Sequence, residues 1–253
     1  MGQKSMNLYV GRIERALKRA LQAEGVYDLK VGESKVIDNL RDVAWNTVAV
    51  SSASSFLGEH VVDAHPEIVN VFKEFHEACL QVIQVNNFVP DSLMWLMAGK
   101  VKKHRMVMRG IVVPEVERRR ATPKPSEDSS KGELLDAMIL TGRPATEISD
   151  RFMAFIFASM ITTAGATTNC LNDLAGRHKD RDILIEEQKV IQKKHTEGLT
   201  YDALEDMPKL HAFVRESIRF AGLPIQNTRI TMKDGLQLTS SLGESKGTSV
   251  TLP

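Results

Sequence analysis

Apolar residues recur at intervals of three and four along most of the chain, the spacing of helices that bury one face. Arginine and lysine separate the apolar positions of the first such stretch, and Gly25 ends it. Pro66 precedes a later stretch, where it fits the first turn of a helix. The pattern predicts four helices in the first half, at 8–24, 36–57, 67–85 and 99–120.

The second half continues with helical spacing around one unusually apolar stretch. The predicted helices are at 134–140, 147–175, 180–194 and 208–220. From Phe152 to Thr168 the residues are apolar nearly all round the helix. Because such a helix belongs inside a protein, we expect it to be buried on every side in the middle of a sizeable fold.

Two regions depart from the helical spacing. Residues 121–132 are rich in Pro, Ser, Lys and Glu, which is typical of a flexible linker. Segments 227–232 and 236–239 have strand-like content around the turn signal Lys233-Asp234-Gly235, and 247–253 resembles another short strand. The expected fold class is mainly α with a few short β-strands near the C-terminus.

Composition excludes several classes of protein. The 253 residues include 33 basic and 32 acidic residues mixed along the chain, a formal net charge of +1 that favours no nucleic-acid partner. No apolar run reaches the roughly 18–20 residues of a transmembrane helix. We therefore expect a soluble, cytoplasmic protein.

Few side chains offer reactive or metal-binding chemistry. The two cysteines, Cys79 and Cys170, lack the paired spacing of a zinc site and indicate a reducing compartment. His76 and Glu77 are adjacent on a predicted helix and face different directions, so no metal pair is expected there. The seven histidines are scattered, and each is interpreted as a surface or capping residue.

The second half resembles fungal microsomal-type cytochromes P-450. The most specific marker is 215–219, whose Glu216 and Arg219 match the Glu-x-x-Arg helix of that family. Order and spacing also agree across about a hundred residues. The other matching segments are the end of a long central helix at 168–175, strands at 228–230 and 233–238, and a turn at 246–248.

The resemblance implies a partial cytochrome P-450-like helical fold. Residues 1–120 would be the helices that cap the substrate pocket. Residues 121–132 would be the flexible linker. Residues 133–253 would hold the central helix, the Glu-x-x-Arg helix and the short strands.

The resemblance also shows departures from the chemistry of the family. Alignment places Ile161 where the central helix of the family carries its acid or histidine, with Thr162 and Thr163 at the threonine pair. The chain stops at Pro253 before the haem-ligating cysteine loop, so we expect a protein truncated at both ends, free of haem and without another cofactor or metal. Without the later arginine of its network, the Glu216–Arg219 pair should be rearranged or exposed.

If the packing of the family is kept, apolar residues should converge on a substrate pocket. The expected pocket residues are Phe88, Leu93, Met94, Ala158, Met160, Ile161, Leu223 and Ile225. The polar candidates for catalysis are Thr162, Gln226, Asn227 and Arg229. These residues suggest a cofactor-independent cyclisation or isomerisation of a hydrophobic polyketide or terpenoid.

Two other functions stay open. In the second hypothesis the chain is a non-catalytic binding protein. Its partner would be a further copy of itself in a homo-oligomer, or a complementing chain with which it forms a split monooxygenase. The third hypothesis is the truncated gene product of a haem monooxygenase.

Overall fold

The structure is a computed structural model. It describes residues 3–30, 32–85, 89, 98–122 and 133–221, with the short stretches 227–230, 236–237, 243–244 and 249–252. Its helices are α1 (Gln3–Ala23), α2 (Leu40–Leu57), α3 (Glu59–Ala64), α4 (Ile68–Val85), α5 (Gly99–Ala121), α6 (Leu134–Ile139), α7 (Ala145–Gly176), α8 (His178–Lys194), α9 (Tyr201–Glu205) and α10 (Pro208–Ala221). The prediction of a mainly helical protein is confirmed.

Helix ends follow local capping chemistry. The start of α2 lies four residues later than expected, because the Asn39 side chain accepts a hydrogen bond from the backbone N–H of Asp42 at 3.2 Å. At α10, the buried Glu187 of α8 accepts hydrogen bonds from the N–H groups of Lys209 and Leu210, both at 2.9 Å. This cap fixes α10 to α8 because it pairs two N–H groups that a helix start leaves free.

Four short strands follow the helices. They are β1 (Asn227–Ile230), β2 (Leu236–Gln237), β3 (Gly243–Glu244) and β4 (Ser249–Leu252). Among the described residues, β1 pairs antiparallel with β4, and β2 with β3, so β1 does not form the expected hairpin with β2. Residues 231–235, which hold the predicted turn, lie outside the described residues.

The core forms where α7 crosses the helices of the first half. α7 packs against α2, α4 and α5, and its Phe152 is fully buried. The Phe152 ring lies 6.3 Å from the rings of both Phe56 and Phe72, measured between centroids. One core therefore holds residues from both sides of 121–132. The division there stays a prediction, since 123–132 lie outside the described residues.

The prediction that α7 is buried all round is wrong for the described part of the chain. Phe152, Ile156 and Met160 are fully buried, but Phe155 is 51% exposed and Ile161 is 37% exposed. The helical period places these two sets on different sides of the helix, and the neighbouring helices cover only the first. α7 therefore has a core side and an open apolar side.

A network of ion pairs joins α5 to its neighbours. The Arg119 guanidinium donates hydrogen bonds to Glu115 at 2.6 Å, to Glu133 at 2.5 Å and to Asp136 at 2.6 Å. It also donates to the backbone carbonyl of Leu57 at 2.5 Å. These contacts link α5 to α2, α6 and the residue before α6, so the helices on either side of 123–132 are held at this point.

The network sets the charge of Glu115. Burial by itself raises the pKa of the Glu115 carboxyl, but hydrogen bonds from Arg118, Arg119 and His60 more than offset it. The pKa is lowered from its ordinary value of 4.5 to about 2. Glu115 is therefore ionised across the physiological range.

Replacing Glu115 by glutamine is expected to lower the free energy of unfolding by about 2 kcal/mol near neutral pH, since hydrogen bonds to a charged group are lost. The folded pKa lies below the unfolded one, so this stabilisation is complete above pH 4.5 and disappears as the pH falls towards about 2. Urea denaturation of both proteins over that pH range measures it. If the difference in free energy of unfolding between the two proteins stayed constant over that pH range, the lowered pKa of Glu115 would be contradicted.

Candidate functional site

The open face of α7, defined here as Phe155, Ala158, Ile161 and Thr162, brings together three of the predicted site residues. All four side chains are exposed and follow one another at intervals of three, three and one residues, which places them on one side of the helix. The Thr162 hydroxyl donates to the backbone carbonyl of Ala158 at 2.9 Å. Its oxygen keeps lone pairs that can accept a hydrogen bond from a bound molecule.

The remaining predicted residues are not brought to this face by the described structure. Met160 is fully buried in the core, on the other side of α7. Asn227 and Arg229 lie in β1, where they are paired with Leu252 and Val250 of β4. The predicted residues outside the described part of the chain are Phe88, Leu93, Met94, Leu223, Ile225 and Gln226.

The Glu-x-x-Arg pair lies on the surface of α10. Arg219 donates to Glu216 at 2.6 Å and 2.8 Å, and both side chains are at least half exposed. The hydrogen bond from Arg219 lowers the pKa of the Glu216 carboxyl. The expected exposure of this pair agrees with the structure, and such exposed pairs contribute little stability.

α10 is fixed to α7 by a different contact. The buried Ser217 hydroxyl donates to the Asp173 carboxylate of α7 at 2.5 Å. Together with the Glu187 cap, this hydrogen bond sets the position of α10. The sequence pattern at 215–219 points to the charged pair of Glu216 and Arg219, but the residue that contacts α7 is Ser217, which lies between them.

The cysteines of this chain do not fit a haem thiolate. Cys79 is half-buried within α4, where burial raises the pKa of its thiol and so disfavours the thiolate. Cys170 is half-buried within α7. Neither side chain stands in a loop that could present sulfur to an iron atom. Haem-thiolate chemistry therefore has no ligand among these residues.

No metal centre appears elsewhere in the described structure. Its residues contain no group of three or more His, Cys, Asp or Glu side chains that could hold a metal ion.

Sequence reasoning missed the setting of His76. This residue is 2% exposed, so its interpretation as a surface or capping residue is wrong. Its ring lies between Trp45 of α2, at 4.7 Å between centroids, and Phe157 of α7, at 5.2 Å. The available signal was the apolar stripe of α4, in which His76 follows Phe72 by four residues.

Within the described residues, α7 alone has the length and hydropathy of a membrane-crossing helix. Core helices of soluble proteins meet the same criteria, and one side of α7 forms the core here. The expectation of no transmembrane helix stays a prediction.

A long central helix with a Glu-x-x-Arg helix fixed beside it is the arrangement that the resemblance to cytochromes P-450 predicts. The family model of cytochrome P450 matches residues 26–237. The chain belongs to the cytochrome P450 family, and the predicted resemblance is confirmed.

Fungal monooxygenases are among its relatives. The chain is 25% identical over 225 residues to cytochrome P450 monooxygenase pvhE of Talaromyces variabilis, covering 85% of this chain and 40% of the relative. It is 28% identical over 221 residues to cytochrome P450 monooxygenase atmQ of Aspergillus flavus, covering 81% and 40%. The chain thus spans about two fifths of the length of these curated relatives.

A solved structure shares the fold. The crystal structure of the cytochrome P450DA heme domain superposes with a TM-score of 0.70 at 18% identity, covering 99% of this chain and 53% of that one. At this identity the likeness extends to the fold alone.

Proposed function

We propose that this P450 chain binds a hydrophobic small molecule, a polyketide or terpenoid of fungal secondary metabolism, on the open face of α7. We propose further that it promotes a non-redox step, cyclisation or isomerisation, without haem. The observation that carries the proposal is the exposure of Phe155 and Ile161 beside the Thr162 hydroxyl. The other side of the helix packs in the core.

The open face of α7 offers two of the contributions that such a step needs. Covering its apolar side chains removes them from water, which favours a hydrophobic ligand by about 25 cal/mol for each Å² buried. Thr162 can accept one hydrogen bond and so fix the orientation of the ligand on the helix. Holding a flexible molecule in its reactive conformation is one source of rate for a reaction within that molecule.

The other predicted residues complete the proposal. Met160 would support the face from the core side, and Gln226, Asn227 and Arg229 would supply further polar groups. The proposed pocket walls are Phe88, Leu93, Met94, Leu223 and Ile225. A cytoplasmic location is part of the same proposal, since the substrate would be met in solution.

Mass spectrometry tests the reaction type. The purified chain is incubated, without any cofactor, with a panel of linear polyketides and terpenoids. We expect a product of unchanged mass and altered retention, because cyclisation and isomerisation conserve every atom. A product heavier by one oxygen atom, or no product from any member of the panel, would reject the non-redox proposal.

Ile161→Gln is expected to weaken binding of the apolar fluorescent probe anilinonaphthalene sulfonate about fivefold, because it removes apolar area from the open face of α7. Ile185→Gln is the matched control, since Ile185 lies in α8 and is 41% exposed against 37% for Ile161. Fluorescence titration compares the two variants with the unaltered chain. Equal weakening in both variants would mean that the probe does not select this face.

A partner chain is the second candidate function. α10 exposes Ile218 at 37% and Phe220 at 73%, an apolar surface beyond that of α7. A second copy in a homo-oligomer, or a complementing chain that supplies a cysteine loop, would cover such a surface. Light scattering of the unaltered chain and of Phe220→Ser tests the homo-oligomer. This function requires that the unaltered chain is a dimer and that the substitution dissociates it.

A spectrum tests the complementing chain. The protein is co-expressed with a P450 fragment carrying the cysteine loop, and the reduced sample is exposed to carbon monoxide. A thiolate-type haem band would favour the split monooxygenase and contradict the haem-free proposal. No band, with unchanged-mass products in the first assay, favours the non-redox enzyme.

A further inference from the structure

A cavity lies between α2 and α4, lined by residues other than those of the open face of α7. Its volume is about 210 Å³. Trp45 and His76 line it together with Leu80. Because this volume is below the roughly 300 Å³ at which drug-sized pockets begin, the space suits a fragment-sized molecule.

His76 is the unusual member of the lining. It is 2% exposed, and neither Nδ1 nor Nε2 has a hydrogen-bond partner within the described residues. Such orphaned polar atoms are rare in the interiors of folded proteins, and a bound small molecule would satisfy them. The half-buried Lys73 also lines the cavity.

The charges around the cavity indicate an uncharged ligand. Arg41 and Lys73 contribute two positive charges, and Asp42 and Glu77 contribute two negative ones. Lys73 is itself paired with Asp42 at 3.3 Å. Burial lowers the pKa of His76, and the opposing charges of Glu77, which raises it, and Arg41, which lowers it, have smaller effects. A lowered pKa favours the neutral ring at physiological pH. A charged molecule would therefore find no surplus of opposite charge.

We propose that this cavity binds a small, uncharged, planar molecule that carries an amide or a similar donor and acceptor pair and hydrogen-bonds to His76. A neutral imidazole has one donor and one acceptor nitrogen. A primary amide carries both complementary groups and can pair with either nitrogen in either tautomer. The Trp45 ring and Leu80 would cover the flat body of the molecule.

Benzamide is the probe for this proposal. Titration into the full chain should shift the side-chain ¹⁵N resonances of His76 in a saturable way. His76→Phe keeps a flat ring between Trp45 and Phe157 but removes both nitrogens, and should weaken binding about tenfold or more. Gln81→Ala, on the exposed side of α4 and outside the cavity lining, is the control and should bind as the unaltered chain does.

Two results would overturn the proposal. Saturable binding that is unchanged in His76→Phe would mean that the probe binds elsewhere. No binding to the unaltered chain up to about 10 mM, the weakest range that counts as recognition, would leave water as the partner of His76. Both results are independent of the reaction proposed at α7, because Ile161 does not line this cavity. Ile161→Gln should therefore leave benzamide binding unchanged.

Discussion

Replacing Arg119 by methionine is expected to lower the free energy of unfolding by about 3–5 kcal/mol, because it removes the cation that three half-buried carboxylates share. The Arg119 side chain is 11% exposed, and it pairs with Glu115, Glu133 and Asp136. Methionine keeps most of the length and apolar character of the stem, so the loss reports on the charge. Urea denaturation followed by circular dichroism measures it.

Arg181→Met is the matched control for Arg119→Met. Arg181 pairs with its neighbour Asp182 at 3.2 Å, and both side chains are at least half exposed. An exposed pair of this kind contributes less than about 1 kcal/mol, so the control should unfold close to the unaltered chain. Similar losses in the two variants would show that the Arg119 network is not the joint between α5 and α6.

The sequence could predict the helices because their signals are local. Spacing and punctuation placed the long central helix at 147–175, and the structure has it at Ala145–Gly176. The short helices α3 and α9 were missed. They have six and five residues, which are few for a helical period, although α6, which has the same length as α3, was predicted. α2 begins late because one capping hydrogen bond at Asn39 outweighs the apolar pattern before it.

The candidate site was harder to predict because exposure depends on which neighbours cover a helix. Ile161 and Met160 are adjacent and similarly apolar, yet one is open and the other is in the core. Composition cannot separate them, whereas knowing that α2, α4 and α5 lie on one side does. The prediction that His76 lies at the surface was wrong for the same reason. Histidine is a polar residue, and only the packing of neighbouring helices shows that this one is covered.

Replacing Phe152 by alanine is expected to lower the free energy of unfolding by about 3–5 kcal/mol, the usual loss when a large buried ring leaves a cavity. Phe152 is fully buried and contacts the rings of Phe56 and Phe72. It therefore joins α7 to α2 and α4, and its loss weakens the core that both halves of the chain share. Thermal and urea denaturation both measure the effect.

Phe155→Ala removes the same side chain three residues further along α7, where the ring is 51% exposed. Since little of that ring is packed, this variant should lose less than about 1 kcal/mol while binding apolar probes more weakly. The pair of variants separates the stabilising side of α7 from its proposed binding side. If Phe155→Ala unfolded as readily as Phe152→Ala, the face would be covered in solution, and both the open face of α7 and the binding role proposed for it would have to be abandoned.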